Sequence, residues 1–355
     1  MSLMDQRAPI VIKIGTSSLI SAGRIDQSRV VELSDTLAAL HAAGHRIVLV
    51  ASGAIALGNA RLRSGAESDP VRRQLAAALG QNALFDALRR TLESAALTAA
   101  QFLLTPVDLT DDAHRDSVRG ALQLALDEGV IPLVNENDAV MVRNNDVLAA
   151  LLGTVLNAQR VVILTDVPGL HDSNPHSNDD ARLIPVISEM SAEIERLAGI
   201  SVSAAGTGGM LSKLCAAWIS SLSGVEVVIA SASEPNAVVR AVNGDSVGTL
   251  VRPRERNKQQ DIGRLWRAFS TPPAGQLMCD SGAEQVVRQE GSLLGRHVVN
   301  VEGEIRPGDI ANVLLPDGRL VARGRSRLGF SSSRSAISTD TSVLQKCDYV
   351  SFLED

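Results

Sequence analysis

Residues 8–18 read Ala-Pro-Ile-Val-Ile-Lys-Ile-Gly-Thr-Ser-Ser, a β-branched run over Ala8–Ile14 that carries one lysine and stops at Gly15. β-Branched residues favour an extended backbone and glycine ends the run, so the stretch predicts a buried strand and then a loop. Over Asp26–Gly44, Val30, Leu33, Leu37 and Leu40 recur at a helical period that Gly44 closes. The order is strand, loop, helix.

The same alternation continues outward. Further apolar strands are expected at Arg46–Ala51, Gln101–Leu104, Ile131–Val134, Arg160–Leu164 and Glu226–Ala230. Helical patterns over 73–97, 112–128, 146–158, 209–222 and 235–242 separate them. Strands that alternate with helices build a mainly parallel sheet covered on both faces, so residues 1–253 are expected to form an α/β domain, a three-layer sandwich. His171–Arg182, crowded with turn formers, is expected to be an exposed loop or hairpin.

Arg252–Lys258 (RPRERNK) is basic and poor in apolar residues, and 254–272 is expected to link two domains. Beyond it the texture changes to short strands at Val298–Val301, Ala311–Leu315 and Leu320–Arg323. Pro307-Gly308-Asp309 and Pro316-Asp317-Gly318 punctuate them as turns. A small C-terminal β-barrel over 273–355 is expected, with Ser331–Ser335 as a flexible loop.

A chain of 355 residues is more than one hydrophobic core usually holds, which agrees with at least two domains. An apolar fraction of 45% with 21% charged residues excludes a disordered chain. The longest apolar runs, such as Val147–Ala158, are too short to span a membrane, and the first residues lack the features of a secretory signal, so a cytoplasmic protein is expected. Cys215, Cys279 and Cys347 form no CxxC pair, and the six histidines join no cluster at ligand spacing, so no protein-held metal is expected. The net charge of −6 argues against a chain built to coat nucleic acid. Locally, Arg252–Arg334 carries 14 Arg and Lys against 9 Asp and Glu, a basic module within an acidic chain. Its aromatic residues, Trp266, Phe269, Phe330, Tyr349 and Phe352, make a poor stacking platform, which disfavours RNA as its partner.

The chain has 30 arginines but only four lysines, and Lys13 and Lys213 are the two within the first 251 residues. Each sits beside a glycine motif. Ligands bind open α/β sheets at the carboxyl ends of their strands, where this sequence places Lys13–Ser18, Ser52-Gly53-Ala54, Asn135–Asp138 and Thr165-Asp166. Gly206–Met210 then opens the helix that carries Lys213, which offers free N–H groups and a helix dipole to a phosphate. Neither GxxxxGK[ST] nor GxGxxG is present, so P-loop and dinucleotide folds are set aside. Phosphoryl transfer needs positive charge on both sides of the migrating group. Lys13 and Lys213 are expected to supply it. Asp146 is the candidate carboxylate between them, its alternative role being the N-cap of the following helix.

Several motifs in order carry a family resemblance: IKIGTSSL at Ile12–Leu19, HAAGHRIVLVASGAIALG at His41–Gly58, AALGQ at Ala77–Gln81, LVNENDAV at Leu133–Val140, ILTDVPGLHDSNP at Ile163–Pro175 and GTGGMLSKLCAA at Gly206–Ala217. The sequence resembles the glutamate 5-kinase branch of the amino acid kinase family with an appended PUA module, the latter on VEGEIRPGDI and PDGRLVARG. The resemblance implies the amino acid kinase fold and MgATP-dependent phosphorylation of the glutamate γ-carboxylate, the first step toward proline. It implies catalytic roles for Lys13, Lys213 and Asp146. Gly15, Thr165, Asp166, Thr207, Gly208, Gly209, Met210, Leu211 and Ser212, with both lysines, would line the ATP site. Ser52, Gly53, Asn135, Asp138 and Asn145 would hold the amino acid. Magnesium would arrive on ATP, and a homo-oligomer is expected.

One departure stands out. Ala139–Arg143 leads straight into Asn144-Asn145-Asp146, about five residues shorter than in similar kinases, with Asn at the first Asp of their motif. A lost charge-assisted hydrogen bond to the substrate ammonium would weaken binding by about 1.5–3 kcal/mol. The alternative readings are therefore a paralogue acting on another small carboxylate, or a catalytically weakened regulatory or RNA-binding protein.

Overall fold

The computed structural model describes residues 8–62, 69–140, 144–173, 178, 180–199, 209–254, 261–331 and 340–353. They divide into two compact units. One comprises Met1–Met190 with Leu197–Arg254, the other Ser191–Arg196 with Glu255–Asp355.

The first unit is organised by eight strands: β1 (Ile10–Ile14), β2 (Ile47–Ala51), β3 (Ala99–Leu104), β4 (Ile131–Glu136), β5 (Arg160–Thr165), β6 (Val186–Ile187), β7 (Glu226–Ser231) and β8 (Thr249–Val251). They form one sheet in the order β3-β4-β2-β1-β5-β7-β8-β6. All neighbours are parallel except β7 and β8. The expected mainly parallel sheet is present, and β6 and β8, too short to show a pattern of their own, extend one edge. β1, β2, β4 and β5 are buried at every position, as befits strands covered on both faces. Lys13 on β1 pairs with Val50 on one side and Ile163 on the other, which puts its side chain in the middle of the sheet's carboxyl edge.

The covering helices start where their caps dictate. α1 (Gln27–Ala42) is capped by Asp26, whose side chain accepts from the Arg29 amide. α2 (Ala54–Asn59) follows Gly53, and α3 (Pro70–Ser94) has Asp69 as N-cap with proline at its start. α4 (Asp112–Asp127) is capped by Asp111. α5 (Asn145–Val155) and α6 (Met210–Leu222) are buried almost throughout and pack against each other, so their first turns meet at the sheet's carboxyl edge.

α2 and α3 approach closely because each offers a glycine. A Cβ on Gly58 would lie 1.8 Å from the Ala76 carbonyl oxygen, and one on Gly80 1.9 Å from that of Ala54. No side chain can yield there, since both obstacles are backbone. Gly80→Ala is therefore expected to part the helices and to cost about 1–3 kcal/mol. Urea unfolding would read the loss, and an unchanged midpoint would show that the pair separates freely.

The second unit holds a six-stranded sheet in the order Phe330–Ser331, Val298–Ile305, Gly275–Cys279, Ile310–Leu314, Leu320–Arg325, Tyr349–Ser351. Only Gly275–Cys279 and Ile310–Leu314 run parallel. Gly308 and Gly318 take φ of +96° and +83° at the two turns expected from the sequence. Most of Ser331–Ser335 lies outside the described residues. Arg323 is fully buried in this unit. Its guanidinium forms a fork with the Glu195 carboxylate, donates to Asn312 Oδ1 at 2.6 Å and lies over the Phe269 ring. Phe269, Phe330, Tyr349 and Phe352 are all core residues here, and Trp266 is half-buried beneath the Arg325 guanidinium.

Candidate active site

Four strand ends, those of β4, β2, β1 and β5, stand side by side at the carboxyl edge, and Lys13 on β1, Ser52 after β2, and Asn135 and Glu136 on β4 bond the first turn of α5. At the centre is Asp146, with no exposed surface. Its Oδ1 lies 2.7 Å from Lys13 Nζ and its Oδ2 3.3 Å from Lys213 Nζ. Both lysines are buried, at 6% and 5% exposure. Two ammonium groups far apart in sequence thus share one carboxylate. Burial pushes the Asp146 carboxyl upward, but Lys13 and then Lys213 outweigh it and hold the group well below the ordinary carboxylate range.

Asp146 is not the N-cap of α5. That position belongs to Asn144, whose Oδ1 accepts from the Asp146 amide at 2.8 Å. A side chain two residues upstream reaches that first-turn amide, which frees the Asp146 carboxylate to turn inward. Ser212, expected among the ATP ligands, has its hydroxyl 2.8 Å from Asp146 Oδ2 and 2.8 Å from the Gly209 carbonyl oxygen.

Two ammoniums and one carboxylate leave a net positive cluster. α6 adds to it: Gly209 provides no side-chain cap, so the helix presents its first amides and the positive end of its dipole. Among the described residues, a Cβ on Gly209 would meet nothing within 4 Å, and one on Gly15 nothing closer than 3.6 Å. The packing of the described residues therefore does not demand glycine at either place, whereas a phosphate lying against bare backbone would. Gly15 follows β1 directly, and Met210 and Leu211 are half-buried in the first turn of α6. Thr165 closes β5 beside β1, buried, with its hydroxyl donating to the exposed Asp166 at 3.0 Å. Thr207 and Gly208 lie outside the described residues.

Of the residues expected to hold the amino acid, Ser52, Asn135 and Asn145 form a second cluster one residue from the first. Asn145 Nδ2 donates to Ser52 Oγ at 3.1 Å and to Asn135 Oδ1 at 2.8 Å. Gly53 has φ of +130°, and a Cβ there would lie 2.3 Å from Ile20 Cδ1, so this turn requires glycine. Asp138 is half-buried in the turn after β4. One partner was not singled out from the sequence: Gln81 on α3, whose Oε1 accepts from Asn135 Nδ2 at 2.7 Å. Its only signal was its place at the end of the AALGQ motif.

Among the described residues no group of three or more His, Cys, Asp or Glu side chains is placed to hold a metal. Both Asp146 oxygens already face cationic or hydroxyl partners. Such a site can polarise and neutralise an anion held between two ammonium groups, which is the requirement of phosphoryl transfer.

The amino acid kinase family pattern matches residues 8–231 and the PUA domain pattern residues 275–332. The chain belongs to the amino acid kinase family. Among the curated relatives, the glutamate 5-kinase of Sodalis glossinidius is 38% identical over 332 residues, covering 91% of this chain and 90% of the relative. That of Shewanella sediminis is 41% identical over 330 residues, covering 90% and 87%. Among solved structures, the UMP kinase of Bacillus anthracis superposes with a TM-score of 0.51 at 16% identity, over 70% of this chain and 97% of that one. Carbamate kinase of Giardia lamblia bound to AMP-PNP gives 0.51 at 20% identity, over 70% and 99%. The two structures share the fold.

Proposed function

We propose that the protein phosphorylates the γ-carboxylate of L-glutamate with ATP, giving L-glutamyl 5-phosphate and ADP, the first step of proline biosynthesis. The observation that carries this reading is the Lys13–Asp146–Lys213 cluster at the sheet edge beside the uncapped start of α6. The full-length likeness to glutamate 5-kinases supports the choice of substrate.

In this reading a γ-carboxylate oxygen attacks the γ-phosphorus of ATP, and the bond to the bridging β,γ-oxygen breaks. Lys13 and Lys213 flank the phosphoryl group in flight, and Asp146 holds both ammoniums at the distance that serves it. Gly15, Thr165, Asp166 and the 207–212 segment surround the nucleotide. Ser52, Gly53, Asn135, Asp138 and Asn145 surround the amino acid. Magnesium, carried by the nucleotide phosphates, supplies further charge neutralisation. The nucleophile is ionised at neutral pH, so no general base is required.

Residues 1–253 are the catalytic domain in this scheme, 254–272 a linker and 273–355 a PUA-like module. A cytoplasmic homo-oligomer belongs to the same reading, supported by the exposed stripe of Val71, Leu75 and Leu79 on α3. Among the described residues no helix is long and apolar enough to cross a membrane.

Hydroxylamine traps an acyl phosphate as a hydroxamate. With MgATP, glutamate is expected to give abundant hydroxamate, and aspartate and N-acetylglutamate little. A reversed order would reject glutamate as the substrate.

A further inference from the structure

The amide cluster beside Ser52 has a direction. A backbone N–H can only donate, and that of Glu136 lies 2.9 Å from Asn135 Oδ1 and 3.1 Å from Asn145 Oδ1. Both side-chain oxygens are therefore turned toward it, and both amide nitrogens must point elsewhere. Asn145 spends its two N–H groups on Asn135 Oδ1 and Ser52 Oγ. Asn135 turns its own nitrogen to Gln81 Oε1. The hydroxyl of Ser52, already accepting from Asn145, keeps its proton to give.

Such a hydroxyl suits an acceptor-only group. A carboxylate oxygen can take that proton, whereas an ammonium offers only donors and would leave the proton without an acceptor. Ser52 stands half-buried at the end of β2, next to the turn at Gly53. Gln81 reaches the cluster from α3 because Gly80, one residue before it, lets that helix lie against the backbone of Ala54 and Gly58.

We propose that Gln81 is a positioning residue which, through Asn135 and Asn145, holds Ser52 as a hydrogen-bond donor to a carboxylate oxygen of the amino acid. This rests on the function proposed above. Gln81 is the acceptor at the far end of the relay. Without it the Asn135 amide is held only by the Glu136 N–H, its nitrogen is left without an acceptor, and the orientation of the Ser52 proton is enforced less firmly.

Gln81→Met keeps the length of the side chain and removes the acceptor. In the full chain it is expected to raise the KM for glutamate about tenfold, with kcat and the KM for ATP each within about threefold. Gln81→Glu keeps an acceptor oxygen and is expected to fall between wild type and Gln81→Met. In a Ser52→Ala background Gln81→Met is expected to add less than about twofold, because no hydroxyl remains to be oriented. Thermal melting checks that each variant is folded, and if Gln81→Met fails to fold, the comparison is made with Gln81→Leu.

An unchanged KM for glutamate would overturn the proposal. So would an equal rise in the KM for ATP, or effects of Gln81→Met and Ser52→Ala that multiply. Calorimetric titration of glutamate into wild type and Gln81→Met separates this inference from the function. A tenfold difference in Kd without any turnover rejects the kinase reading alone, and turnover with equal Kd values rejects the role of Gln81 alone. Absence of glutamate binding to wild type rejects both.

Discussion

Asp146→Asn is expected to lower turnover by about 10³-fold or more and to cost about 3–5 kcal/mol of stability. The carboxylate has no exposed surface and sits between two ammonium groups that are themselves buried. An asparagine fills the same volume, but it removes the negative charge that both lysines share. It also turns an N–H₂ group toward one of the two ammoniums, whichever way the amide lies, so a donor meets a donor. Two uncompensated cations in a buried site repel each other and lose the geometry that places them about the phosphoryl group. Urea unfolding at neutral pH reads the stability, and hydroxamate formation reads the turnover. Turnover within tenfold of wild type would show that the carboxylate does not organise the lysines.

The pH dependence of that stability has a definite sign. Asp146 has a folded-state pKa below its ordinary value of 3.8, so its contribution is fully present above that value. It is lost as pH falls through the folded-state value. The stability gap between wild type and Asp146→Asn is therefore expected to narrow only below about pH 4.

Lys213→Ala is expected to reduce kcat by at least about 10²-fold, the effect of losing one charge partner of a transition state. The fold should suffer less than in Asp146→Asn, because Asp146 keeps Lys13 at 2.7 Å and the Ser212 hydroxyl at 2.8 Å. A lysine that acts on the phosphoryl group in flight lowers kcat and kcat/KM together when removed. A normal kcat with a raised KM for ATP would reduce Lys213 to a ground-state contact.

Local pattern carried much of the architecture. Ile10–Ile14 is a strand because its β-branched run ends at Gly15, and the helix expected over 146–158 is found at Asn145–Val155. β6 and β8 were not legible, since two or three residues hold no period. The antiparallel turn of β8 against β7 depends on partners rather than on its own residues. Caps were only half legible: Asn and Asp both suit the start of α5, and the choice of Asn144 over Asp146 follows from where the lysines pull the carboxylate. Glu195 illustrates a further limit. Nothing near it in sequence marks it as the partner of the buried Arg323.

From the residues alone came the class of fold, the edge of the sheet where a ligand belongs, and the two lysines worth following, because strand and helix propensity, glycine turns and rare residue types are local properties. The tertiary structure alone decided that Lys13 and Lys213 meet on one carboxylate, that Asn144 caps the helix, and that Gln81 ends the relay to Ser52. Those are facts of distance and hydrogen-bond direction. The order of strands in the sheet and the packing of α5 on α6 set them, and neither is written in any single stretch of chain.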